Sequence, residues 1–155
     1  MEGFKLTRDQ IEEYQRNRSP YLFIDYVEEV IPGVSAKGYL DLIKSLWFFE
    51  VHWPEDPNMP GMLQIEALVQ LAALSVLTLP GNKGELVYLT SLENIKLTRK
   101  VIPGDRLDLS TELLTWKRGI AMCKGVGTVN DAIACRAKFS FVMPKIVSAY
   151  QVVKS

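Results

Sequence analysis

Residues 61–79, GMLQIEALVQLAALSVLTL, decide how the rest of the chain is read. Ala, Leu, Met, Gln and Glu dominate the stretch, and these are strong helix formers. Gly61 opens it and Pro80-Gly81 closes it, which bounds one long helix. The segment is apolar almost all round, so such a helix has to be buried on most of its sides. Gln64, Glu66, Gln70, Ser75 and Thr78 interrupt it, a set that a lipid-spanning helix rarely carries.

The flanking sequence has strand texture. YLFIDYVEEVI (21–31) is rich in β-branched and aromatic residues and stops at Pro32-Gly33. GVSAKGYLDLI (33–43) reads as its hairpin partner, and SLWFFEV (45–51) continues in the same style. After the helix come ELVYLTSLENIKLTR, DRLDLSTELLTWK, GIAMCKGVGTV and AIACRAKFSFV, with turns at Pro103-Gly104-Asp105, Lys117-Arg118-Gly119 and Asn130-Asp131. Apolar and polar residues roughly alternate in RLDLSTELL and IACRAKFSFV, as in strands with one buried face. The order predicts an α+β fold, one antiparallel sheet wrapped around one central helix. The expected organisation is a single domain over 1–155, with a short helix at about 8–17 and a tail from about 145 to 155. Thr7 and Gln10 have capping-box spacing for that first helix.

Composition narrows the function. Apolar residues make up 48% of the 155 and charged residues 23%, enough for a packed core. The formal net charge is zero, which argues against a nucleic-acid partner. Cys123 and Cys135 form no metal spacing with the single histidine, so buried free thiols and a reducing compartment are expected. The opening MEGFKLTRDQIEEYQ lacks an apolar leader core. The expectation is a cytoplasmic protein with no membrane partner.

Three residues carry candidate chemistry. Glu66 sits in the apolar helix, where burial raises a carboxyl's pKa and makes it a general acid; the alternative is an edge residue bonded to Gln70 one turn on. His52 opens a Pro-stiffened loop, as a general base or as a structural histidine. Gly61 either starts the helix or offers free N–H groups to an oxyanion. Together they are the parts needed to remove a proton α to a thioester and expel a β-hydroxyl.

The run HWPEDPNMPGMLQIEA (52–67) resembles the signature H-W-P-x-D-P-x-M-P-G-x-L-x-x-E-A of the 3-hydroxyacyl-acyl carrier protein dehydratases. PYLFIDYV, LENIKLTRKVIPGD and WKRGIAMCKGVGTVND resemble further segments, so the likeness runs from about Pro20 to Val142. It implies the hotdog fold. It also implies that His52 takes the C2 proton, that Glu66 helps the C3 hydroxyl leave, and that Gly61 binds the thioester carbonyl. The histidine and the acid of one site come from different subunits in that family, which implies a homodimer at least and allows a trimer of dimers. No metal or organic cofactor is implied. The acyl chain would lie beside the helix, with Trp53, Met59, Met62, Leu63, Ile65, Leu68 and Gln70 as candidate wall residues.

The chain departs from the pattern at Val51, Trp53, Glu55 and the run Asn17-Arg18-Ser19-Pro20-Tyr21. Val51 stands where the family has glycine, and a β-branched residue would be strained if that position required positive φ. An acidic carrier protein needs a locally basic dock, and Lys96, Arg99, Lys100 and Arg106 cluster around the Pro-Gly-Asp turn, with Lys117 and Arg118 at the next. Ordinary solvated charge is the alternative for these. A thioesterase and a non-catalytic acyl-binding subunit are the competing functions.

Overall fold

The computed structural model describes residues 2–151. Seven strands form one antiparallel sheet in the order β1-β2-β3-β5-β6-β7-β4. The elements are β1 (Phe4–Leu6), α1 (Arg8–Tyr14), β2 (Tyr26–Ile31), β3 (Ser35–Asp41), α2 (Phe48–Val51), α3 (Gly61–Leu77), β4 (Tyr88–Leu97), β5 (Arg106–Lys117), β6 (Ile120–Val129), β7 (Ala132–Val142) and α4 (Pro144–Gln151). The expected sheet around one central helix is the architecture observed.

Helix α3 lies against β5, β3, β6 and β7. Ile65, Leu68, Leu71, Leu74 and Leu77 are fully buried with inward residues of the strands, among them Leu107, Leu109, Ala121, Phe139 and Phe141. Each such side chain contributes about 1.5–3 kcal/mol of transfer free energy, which explains why an apolar 17-residue segment is stable only inside a wrapped sheet. Gly125 lets Leu68 of the helix pack closely on β6, since a Cβ there would lie 3.2 Å from both Leu68 Cδ2 and Thr111 Cγ2.

Several elements differ from the sequence expectation. The capping box of Thr7 and Gln10 forms, but α1 stops at Tyr14 rather than 17, because Gln15 turns extended (φ −126°, ψ 161°) and its side chain takes the backbone of Asn17. Residues 21–25 join no strand ladder. Most of their peptide groups are claimed by side chains: Arg8 donates to the carbonyls of Leu22 and Ile24, and Gln70 bonds Tyr21 and Phe23, while Asp25 N–H reaches Tyr39 O on β3. SLWFFEV is not a strand; Phe48–Val51 is a short helix. Burial of the adjacent pair Phe48 and Phe49, whose rings sit 4.7 Å apart, fits a helical turn and not an alternating strand. The expected tail is helical to Gln151 and seats on the β5–β6 turn, where Met143 N–H bonds Gly119 O at 2.8 Å; residues 152–155 lie outside the described residues. The three-residue β1 is too short to carry a periodic signal.

Candidate active site

His52 follows α2, not a strand, and caps its C-terminus. Its ring is half-buried, and Nδ1 lies 3.0 Å from the backbone oxygen of Asn58. A carbonyl only accepts, so Nδ1 carries the proton and Nε2 presents its lone pair. The loop that brings Asn58 back is fixed by Asn58 Nδ2 donating to Asp56 O (2.9 Å) and by an ion pair between Lys100 and Asp56. Val51 is helical and exposed, so the strain anticipated there does not arise. Positive φ falls on Trp53 instead (φ 66°), a costly conformation for a bulky residue and one that clusters at functional sites. The Trp53 ring stands perpendicular to the His52 imidazole at 6.2 Å and is 58% exposed.

Gly61 begins α3 after Pro60, whose carbonyl takes the N–H groups of Leu63 (3.0 Å) and Gln64 (3.1 Å). A Cβ at Gly61 would fall on Leu97 Cδ1, so with glycine at 61 the Leu97 side chain packs directly on the helix start. The helix N-terminus there supplies partial positive charge.

Glu66, one turn further along, is half-buried. Burial pushes its carboxyl above the usual carboxylate range, opposed by a hydrogen bond from Gln70 Nε2 at 3.1 Å. A cleft of about 230 Å³ opens beside it. Val69, Gln70, Ala73 and Leu77 form one wall with Glu66; Leu86, Val87 and Leu89 form another; Gln15 to Asn17 and Glu85 rim it. His52 is not among the residues lining that cleft.

Of the expected wall residues only Gln70 lines this cleft. Met59, Ile65 and Leu68 are core, Leu63 is partly buried against it, and Met62 is exposed. Val69, Ala73 and Leu77 were legible as the positions three, seven and eleven after Glu66, the same helix face; Asn58 acts through its backbone and leaves no side-chain signal.

The four expected docking cations do not form one free cluster. Lys100 pairs with Asp56, Arg106 pairs with Asp41 and lies 3.8 Å over the Tyr39 ring, and Arg99 reaches toward Val129 O. Lys96 lies with Lys124, Arg136 and Lys138 in a groove of about 600 Å³ on the outer sheet face, away from α3, His52 and Glu66. Both cysteines are buried, with thiols pushed up to about 12 (Cys123) and about 11 (Cys135), so neither is a nucleophile near neutrality. Among the described residues no group of three or more His, Cys, Asp or Glu is placed to hold a metal ion.

Comparisons with known proteins bear on the same residues. The family model of the FabA-like domain matches residues 17–138. A 3-hydroxyacyl-[acyl-carrier-protein] dehydratase FabZ of Clostridium novyi is 39% identical over 136 residues, covering 88% of this chain and 96% of the relative. The corresponding Bacillus subtilis protein is 36% identical over 138 residues, 89% of this chain and 98% of its own. Among solved structures, the dehydratase heterocomplex ApeI:P from Xenorhabdus doucetiae superposes with a TM-score of 0.71 at 14% identity, over 94% of this chain and 97% of that one. A hypothetical thioesterase with coenzyme A from Streptococcus pneumoniae gives 0.59 at 14% identity, over 76% and 83%. At those identities the structural matches establish the hotdog fold and nothing about chemistry.

Proposed function

This chain belongs to the FabA-like domain family, and we infer from its site that it dehydrates 3-hydroxyacyl thioesters carried on acyl carrier protein to enoyl thioesters, in fatty-acid biosynthesis. The observation that carries the reading is Glu66, a carboxyl that burial favours in its neutral form on a largely apolar helix face, beside a cleft that fits an acyl chain. A neutral acid donates a proton to a leaving hydroxyl, whereas hydrolysis of a thioester calls for a base that activates water.

The step follows from these parts. His52 Nε2 removes a proton from C2. The thioester oxygen takes up charge at the Gly61 N–H. Electrons from the C2–H bond form the C2–C3 double bond as the C3–O bond breaks. The hydroxyl leaves as water with the proton of Glu66, and the carboxylate is reprotonated from His52 through solvent.

His52 and Glu66 of one chain do not share the cleft, and this supports a homodimer in which each site draws its base and its acid from different subunits. The edge strand β4 supports it further. Tyr88, Leu89 and Leu97 on it, with neighbouring Leu86 and Met62, are exposed apolar side chains on an unpaired edge, which a second copy would cover. Higher assembly as a trimer of dimers, a cytoplasmic location, and docking of the acidic carrier near Lys96, Arg99, Lys100 and Arg106 belong to the same proposal. No helix among the described residues is long and apolar enough to cross a membrane.

The deciding experiment supplies a 3-hydroxyacyl chain on acyl carrier protein and follows enoyl thioester and free thiol together. Enoyl product is expected. Free thiol as the product would make the protein a thioesterase, and binding without turnover would make it a non-catalytic acyl-binding subunit.

A further inference from the structure

We propose that Gln64 is a positioning residue for the base: its carboxamide holds Met59 O, and so fixes the Asn58–Met59 peptide whose carbonyl sets the His52 tautomer and aims Nε2. This rests on the dehydratase reading, which it deepens by naming the side chain that keeps the base in place.

The loop residues from Trp53 to Asp56 are exposed, so their own packing does not orient the Asn58 carbonyl. The chain returns to the core at Met59, which is fully buried, and two groups hold it there. Met59 N–H donates to Val101 O at 2.8 Å. The Asn58–Met59 peptide is planar and trans, so its N–H and its C=O point in opposite directions. Val101 on one side thus sends the Asn58 carbonyl to the other, where His52 Nδ1 lies 3.0 Å away. The next peptide, Met59–Pro60, has no N–H, and its one polar group is Met59 O. That oxygen accepts from Gln64 Nε2 at 3.2 Å. Val101 and Gln64 together fix both backbone torsions of Met59, and the histidine takes its tautomer from the carbonyl they place.

The fold alone is better served by an apolar residue at this position. Gln64 is 3% exposed in the first turn of α3, and its Oε1 has no hydrogen-bond partner among the described residues. A buried acceptor left unpaired costs stability, whereas Leu or Met of similar size carries no such cost. The carboxamide cannot turn over to relieve it, because Met59 O only accepts and the NH₂ has to face it. The bond to Met59 is what a glutamine adds. Gln64 stands two residues before Glu66, so the helix that carries the acid also holds the loop that aims the base.

His52 is the only histidine of the chain, so NMR of protein labelled at the histidine ring nitrogens reads this imidazole alone. The unmodified protein, Gln64→Met and Gln64→Leu are compared at about pH 9, where an imidazole is neutral. The unmodified protein is expected to show the Nδ1–H tautomer. Both variants are expected to shift toward the Nε2–H tautomer, with kcat lower by roughly tenfold to a hundredfold and KM within about twofold. Their melting temperatures should change little, since the lost bond and the removed orphan acceptor offset each other. Imidazole signals that stay where they were overturn the proposal, whether or not the protein turns over any substrate. A fall in melting temperature large enough to account for the lost activity, or failure of both variants to fold, would make Gln64 a structural residue and overturn it as well. Absence of enoyl product in the unmodified protein would overturn the dehydratase reading alone, because the His52 tautomer still decides what Gln64 does.

Discussion

The imidazole of His52 is tied to the backbone of Asn58, six residues on, by an Nδ1–H donated to the carbonyl at 3.0 Å. The bond sets the tautomer and aims Nε2, so the base is made by the fold of the 52–58 loop and not by the histidine alone. His52→Ala is expected to lower kcat by about 10²–10⁴-fold, the usual range for loss of a positioned acid or base. The residue is half-exposed on a loop, so the melting temperature should move little. Steady-state kinetics beside a thermal melt check both halves. A variant that keeps more than a tenth of its turnover would remove His52 as the base.

Glu66 links activity to stability. Burial raises its folded-state pKa above the unfolded value of about 4.5. Folded protein therefore binds the proton more tightly than the unfolded chain does. The resulting stability is present below pH 4.5 and is lost as pH rises through the folded pKa. Glu66→Gln removes the ionisable group. It should abolish turnover yet stabilise the protein at pH 7–8 by less than about 1 kcal/mol, because the partly exposed carboxylate is screened by solvent. The gain should shrink toward zero at pH 4. Urea unfolding at several pH values reads this directly, and a gain independent of pH would argue against a buried, proton-binding Glu66.

Much of this was legible before any coordinates. The helix over 61–77 was written in composition, and the strands β4 to β7 in alternation and turn residues, because burial on one face of a sheet dictates both. His52, Gly61 and Glu66 stood out as polar or permissive residues in the pattern, each with a structural alternative that the sequence left open. What stayed hidden was decided by tertiary contact. Phe48 and Phe49 carry strand propensity, but both are buried side by side, which turns the chain into α2. The unladdered 21–25 segment depends on Arg8 and Gln70, which are distant in sequence. The cleft beside Glu66 is walled by Val69, Ala73 and Leu77 and not by Met62, Leu63 or Ile65, since one face of an all-apolar helix cannot be told from another without knowing where the sheet lies.

Arg99 and Lys100 separate binding from chemistry. Lys100 is already paired with Asp56, and Arg99 reaches Val129 O, so each anchors a loop as well as offering charge. Arg99→Glu and Lys100→Glu should raise KM for carrier-bound substrate by roughly five- to tenfold at low salt, with the difference shrinking above about 0.3 M as screening sets in. Turnover of the same acyl group on a small uncharged thiol should be unchanged by Arg99→Glu. For Lys100→Glu a parallel fall with both substrates would mean that the charge serves only to hold the 52–58 loop.

Ala73→Leu tests whether the acyl chain runs along the cleft beside α3. Glu66 and Leu77 lie eleven residues apart on α3, about 16 Å at 1.5 Å per residue, and Ala73 stands about 10 Å along the same wall. It is the smallest side chain of that face, opposite Leu86 and Leu89. Ala73→Leu fills the passage at that depth. A four-carbon substrate stops short of it, and its kcat/KM should stay within about threefold. A substrate of fourteen or more carbons has to pass it, and each buried methylene displaced costs about 0.8 kcal/mol, so displacing two or more lowers its kcat/KM by more than tenfold. The comparison is internal to one variant, which cancels any general loss of folded enzyme. Equal effects on both lengths would place the acyl chain elsewhere.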